Sequence, residues 1–143
     1  MKYITLLLFS FIISTSCNSD LYIDIELKGQ WNVDDLHVVA DFSGKKSEYS
    51  LKNAGAYTFS SKGEGKYIST ADTSYDTQDI HWETVKKKHI KITYLKDNSE
   101  ETWLITSDVK STQTWECTKT VIYSSGGVSS TANINKRMTL RRL

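Results

Sequence analysis

From Leu21 to the C-terminus, apolar and polar residues alternate one by one and almost nowhere repeat at helical spacing. Leu21, Ile23, Ile25 and Leu27 alternate with Tyr22, Asp24 and Glu26. Tyr57 and Phe59 share a face, as do Ile80 and Trp82, and Ile90-Lys91-Ile92-Thr93-Tyr94 is the cleanest half-buried pattern in the chain. Gly65 to Thr70, Thr102 to Thr106, Thr114 to Thr118 and Met138 to Leu140 read the same way. Asp34 to Phe42 hints at a helical repeat, but Leu36, Val38 and Ala40 also alternate, so a strand is expected there. Thr, Tyr, Trp, Ile and Val fill these segments, the residues that suit a pleated surface. The alternation predicts an inward set of Trp31, Tyr57, Phe59, Trp82, Ile90, Ile92, Trp103 and Ile105.

Turn formers punctuate the pattern: Lys62-Gly63-Glu64, Lys86 to Lys88, Lys96 to Ser99, Ser107-Asp108, and Ser124 to Gly127. Strand segments about 8–12 residues apart with turns between them indicate a sandwich or barrel. Short connections favour neighbouring antiparallel strands. The expected fold is therefore all-β, an antiparallel up-and-down β-barrel of about eight strands, a size whose interior holds side chains or one small ligand. No proline interrupts any segment.

The first residues break this pattern. Lys2 precedes an apolar run from Ile4 to Ile13, followed by Ser14, Thr15, Ser16 and Cys17. A charged start, a short apolar run and small residues describe a secretory signal peptide, residues 1–16, and the run is too short to span a bilayer, which takes about 20 apolar residues. The cysteine after the small residues resembles the lipobox of bacterial lipoproteins, with Ser14 where a branched aliphatic residue is usual. That resemblance implies that Cys17 carries a lipid and that the mature chain is membrane-anchored in a bacterial cell envelope, at the outer membrane. Residues 17–27 are then a lipidated tether or a first strand. Cys117 is either a lone buried thiol, if Cys17 is acylated, or the partner of Cys17 in a disulfide.

Gly29-Gln30-Trp31 matches the Gly-x-Trp signature of lipocalin-type barrels. An aromatic hairpin (Tyr57 to Gly65), a Trp strand (His81-Trp82-Glu83), the Ile90 to Thr93 alternation and Thr102 to Ile105 follow in order. Over residues 28–143 the chain resembles the lipocalin-like domains of Bacteroidetes lipoproteins. The resemblance implies that Trp31 packs at the closed end of a barrel against a basic residue of the last strand. Arg142 is the candidate, with Arg137 or Arg141 in its place if the register shifts.

The chain carries 18 Lys and Arg against 17 Asp and Glu, and removing a leader with Lys2 leaves the two signs equal. That balance gives no basis for nucleic-acid binding. His81 and Glu83 share a strand face but have no third partner, and they are expected in solvent. Asp72 to Asp79 has spaced oxygens but lacks the turn glycine and terminal Glu of a calcium loop. No nucleophile elbow, phosphate loop or zinc motif occurs, so neither catalysis, a metal nor a cofactor is indicated. Four tryptophans and eight tyrosines remain to be placed. Trp82, Trp103 and Tyr94 are the candidates to line a pocket, and core packing is the competing role for the two tryptophans. Two functions compete. One is a non-catalytic module that binds a small apolar or amphipathic ligand. The other is a barrel filled by its own side chains that serves an envelope protein partner. Interior volume decides between them.

Overall fold

Period-two alternation becomes a single closed sheet in the computed structural model, which describes residues 26–70 and 76–143. Its strands are β1 (Gly29–Phe42), β2 (Lys45–Phe59), β3 (Glu64–Ser69), β4 (Asp76–Lys86), β5 (His89–Tyr94), β6 (Ser99–Val109), β7 (Thr112–Ser125) and β8 (Val128–Arg142). Each strand pairs antiparallel with the next, and β8 returns to β1, closing an eight-stranded up-and-down barrel with no crossover. The signal-peptide residues, Cys17, Leu21 to Ile25 and Asp72 to Tyr75 lie outside the described residues. The expected alternating strand over 21–27 is corrected at its visible end, where Glu26 and Leu27 are helical. Leu27 is fully buried beneath the barrel floor, so it acts as a plug and not as a strand residue.

The connections follow local chemistry. Gly126 and Gly127 both have positive φ, the conformation of a two-residue hairpin whose twist matches that of the strands it joins. Ser43-Gly44 turns likewise, with the Gly44 N–H donating to Asp41 Oδ1 at 2.7 Å. Ser61–Gly63 forms a single 3-10 turn between β2 and β3. The turn expected at Ser107-Asp108 is corrected: these residues continue β6, and the chain reverses at Lys110-Ser111. Their short polar side chains face solvent, which imitates turn composition in an exposed strand end.

All eight expected inward residues are buried. They share one core with Leu27, Val33, Ile80, Trp115, Cys117, Met138 and Leu140. The barrel proper does not use the full length of its strands. β2 meets β3 only from Gly55 to Phe59, and β6 meets β7 only as far as Glu116. Beyond those points β2, β1, β8 and β7 continue as a four-stranded sheet that projects past the lumen. Thr118 to Asn135 and Thr120 to Asn133 hydroxyl–amide pairs, each 2.9 Å, tie its outer face. Phe42, Tyr49 and Tyr123 are exposed on its other face, with Phe42 and Tyr123 edge to face at 5.7 Å, and Ile122 is exposed on the outer one.

Candidate functional site

The two ends of the lumen are built differently. At the floor, Trp31 pairs with Arg142 across β1 and β8. The Arg142 guanidinium carbon lies 5.5 Å from the centre of the Trp31 ring, within the range of a cation–π contact. Trp31 Nε1 donates to Leu27 O at 2.8 Å, and Arg142 Nη2 donates to Lys28 O at 2.6 Å. Gly29 sits beside them with φ +128, a backbone conformation that favours glycine, although a Cβ there would make only an ordinary contact with the Arg142 side chain. Arg137 and Arg141 are engaged elsewhere, on Glu116 and Asp34. Aromatic rings fill the space above the floor. Phe59 meets Trp82 edge-on at 5.6 Å and lies 5.9 Å from Trp115.

Toward the β5–β6 turn the filling stops. A half-open cavity of about 210 Å³ remains at this end of the lumen. Val33, Leu36 and Met138 form its apolar wall, and Tyr57, Tyr67, Tyr94, Glu101, Trp103 and Lys136 supply its aromatic and polar lining. Glu101 and Lys136 form an ion pair, with side chains 10% and 28% exposed. Tyr94 OH donates to Glu101 Oε2 at 3.2 Å, and the Tyr57 and Tyr94 hydroxyls are 2.9 Å apart. An ionised carboxylate only accepts. Tyr94 therefore spends its proton on Glu101, and Tyr57 donates to Tyr94. Burial first, then the neighbouring Tyr94 and Tyr67, raises the Tyr57 pKa well above the ordinary tyrosine range. Burial and Glu101 do the same for Tyr94. Both remain neutral donors. Tyr67 stacks on Tyr57 at 4.5 Å and closes the aromatic side.

The indole N–H groups separate the two ends most sharply. Those of Trp31, Trp82 and Trp115 donate to Leu27 O, Glu64 O and Gln113 Oε1, at 2.8, 3.0 and 2.9 Å. Trp103 is 2% exposed, lines the cavity, and its Nε1 has no hydrogen-bond partner among the described residues. Leaving a buried donor unpaired costs about 1–3 kcal/mol, so the exception is informative.

Of the three expected lining residues, Trp103 and Tyr94 border the cavity. Trp82 does not: it is core on the floor side and borders a surface hollow shared with Lys62, His81 and Glu83. The alternation set its face correctly, but alternation carries no information on height along the barrel axis. Sequence reading missed Tyr57, Tyr67, Glu101 and Lys136 as site residues. Parity was the signal for the charged pair: Glu101 shares a face with Trp103 and Ile105, and Lys136 with Met138 and Leu140. His81 and Glu83 point outward, and Glu83 pairs with Lys91, whose bond holds the carboxyl below its usual range. Cys117 is a free, buried thiol, raised in pKa mainly by burial. No helix among the described residues is long and apolar enough to cross a membrane. The chain matches no family model, no curated protein and no solved structure.

Proposed function

We propose that this is a membrane-anchored, lipocalin-like lipoprotein whose barrel binds a small amphipathic molecule without transforming it. The observation that carries the reading is a lumen cavity with an apolar wall, a charged pair and one buried, unpartnered indole N–H. A half-open pocket of this size, with an apolar wall and a largely buried ion pair, has the make-up of a small-ligand site. Its volume, about 210 Å³, lies below the usual 300–1,000 Å³ of drug-sized sites and above the roughly 150 Å³ that accepts benzene. A single-ring or short-chain molecule fits within it.

The anchor rests on the apolar run from Ile4 to Ile13 followed by Ser14, Thr15, Ser16 and Cys17. Two acyl chains hold a protein at a bilayer where one is marginal. Cys17→Ala should move the protein from the detergent phase to the aqueous phase. An unmodified Cys17 by intact mass would remove the anchor.

Binding is tested by titrating tryptophan emission with single-ring and short-chain amphiphiles. A saturable response should survive Trp82→Phe and vanish in Trp103→Phe. A second reading, a barrel serving a protein partner, draws on the projecting sheet with its exposed Phe42, Tyr49, Ile122 and Tyr123. Absence of any response to the whole panel would favour it.

A further inference from the structure

Two strand edges lie open where the four-stranded sheet projects past the lumen. β3 pairs with β2 no further than Gly55, and β6 pairs with β7 no further than Glu116. Among the described residues no other strand covers Lys45 to Lys52 on β2 or Cys117 to Ser125 on β7. In an antiparallel strand the backbone groups of alternate residues turn to opposite sides. Arg142 N donates to Ser111 O at 2.7 Å, which sets the odd-numbered residues of β7 toward β8. Thr118, Thr120, Ile122 and Ser124 therefore present their N–H and C=O groups to the open side. On β2 the two-residue Ser43-Gly44 hairpin closes on the Phe42–Lys45 pair, so Lys46, Glu48, Ser50 and Lys52 face outward.

The two edges are guarded differently. Lys46, Glu48 and Lys52 put charge along the β2 edge, the usual defence against strand-to-strand association. None of the outward residues on β7 is charged, and Ile122 is 76% exposed. Thr118 to Ser124 holds Lys119 as its single charge, and Thr, Val, Ile and Tyr give it high strand preference. Such an edge is a template for a further strand.

The same stretch supplies its own complement. Val121 is the midpoint of the open run from Cys117 to Ser125. Antiparallel pairing about Val121 sets Thr120 opposite Ile122 of a second copy, and Thr118 opposite its Ser124. All four are outward residues, so each opposed couple exchanges both backbone hydrogen bonds. Lys119 then lies opposite Tyr123, and no like charges meet. We propose that the β7 edge is a self-association surface on which a second copy of this chain docks, joining two projecting sheets into one. The contact is isologous, so it consumes both β7 edges and closes at two copies. A single strand pairing buries less than the roughly 1,200 Å² of a stable interface, which makes the association weak and reversible. It stands independently of what the cavity binds.

Light scattering on the full-length protein in detergent should show a protein mass rising toward twofold between about 1 μM and about 1 mM, the range of weak association. Ile122→Pro removes an N–H that β8 does not use, so it should keep the circular dichroism of the parent while its mass stays at one chain. Val121→Cys provides a readout without breaking the edge. Its two copies would form a non-hydrogen-bonded pair with Cα atoms about 4.5 Å apart, within disulfide reach. Mild oxidation of freshly broken cells should convert most of this variant to a linked pair of chains on a non-reducing gel. The unsubstituted chain and Glu48→Cys, on the guarded edge, should not convert.

A protein that stays at one chain up to about 1 mM would overturn the proposal. So would a folded Ile122→Pro variant that still doubles its mass, a Val121→Cys variant that does not link, or Glu48→Cys linking as readily. If Ile122→Pro does not fold, the cysteine comparison decides.

Discussion

The floor of the barrel and the cavity above it are made of the same residue types and differ in how completely they are satisfied. At the floor, Trp82 and Trp115 pack against Phe59, Trp31 packs against the Arg142 guanidinium, and each of the three indole N–H groups has an acceptor. At the cavity, Trp103 is equally buried and lines the open volume, yet its N–H has no partner among the described residues. Buried polar groups are paired almost everywhere in folded proteins. A region that meets this rule three times is built for stability. A region of the same sheet that breaks it once, at a residue that also lines a pocket, is where the proposed binding site lies.

Breaking the floor should do the most damage. Ile92 is fully buried, so Ile92→Asp places an unpaired charge in the core and should cost several kcal/mol, enough to unfold the domain in circular dichroism. Lys91, its neighbour, points outward between Glu83 and Glu100. Lys91→Gln should leave the denaturation midpoint where it is, and equal damage at both positions would refute the assigned parity. Trp31→Ala should cost about 3–5 kcal/mol in urea unfolding, because the floor cannot collapse onto the void.

The charged pair of the cavity tests the opposite end. Glu101→Gln leaves Lys136 without its counter-charge and should cost about 1–3 kcal/mol. Adding Lys136→Met should restore most of that loss, since removing both charges leaves neither one buried alone. A double variant no better than the single one would mean that the pair does not couple.

Alkaline pH separates the two ends without mutation. Tyr57 and Tyr94 have pKa values raised above the tyrosine norm, chiefly by burial, so the fold favours their neutral forms. The unfolded chain releases these protons near pH 10, before the folded chain does. Their contribution is therefore complete below about pH 10 and declines as pH rises above it. Urea midpoints should fall between pH 9 and pH 11, and less steeply in Tyr57→Phe. The smallest effect is expected at the floor rim: Arg142→Met should lose about 0.5–1 kcal/mol of cation–π attraction, measured by thermal unfolding.

Much of this architecture was legible in the residues, and the gaps have physical causes. β4, β5 and the centre of β6 are covered on one face only, so their alternation is clean and their inward residues could be assigned. The first half of β2, from Lys45 to Asn53, is largely exposed on both faces in the projecting sheet, so no alternation marks it. The Ser107-Asp108 error has the same origin. Faces could be read, but heights could not, because strand stagger in a barrel is a property of all eight pairings together. That is why Trp82 was grouped with Trp103 although it belongs to the floor. The Glu101–Lys136 pair joins residues on β6 and β8, and only the closed sheet brings them together.

The most direct measurement is the nitrogen-15 spectrum of the four indole N–H groups during titration with single-ring amphiphiles. One indole resonance, assigned to Trp103 by its loss in Trp103→Phe, should move saturably, while those of Trp31, Trp82 and Trp115 hold still. The free protein should also show faster hydrogen exchange at Trp103 than at the other three. A Trp103 resonance that stays fixed while a floor indole shifts, or four equally protected indoles that ignore every probe, would contradict the division of the lumen into a satisfied floor and a receptive cavity.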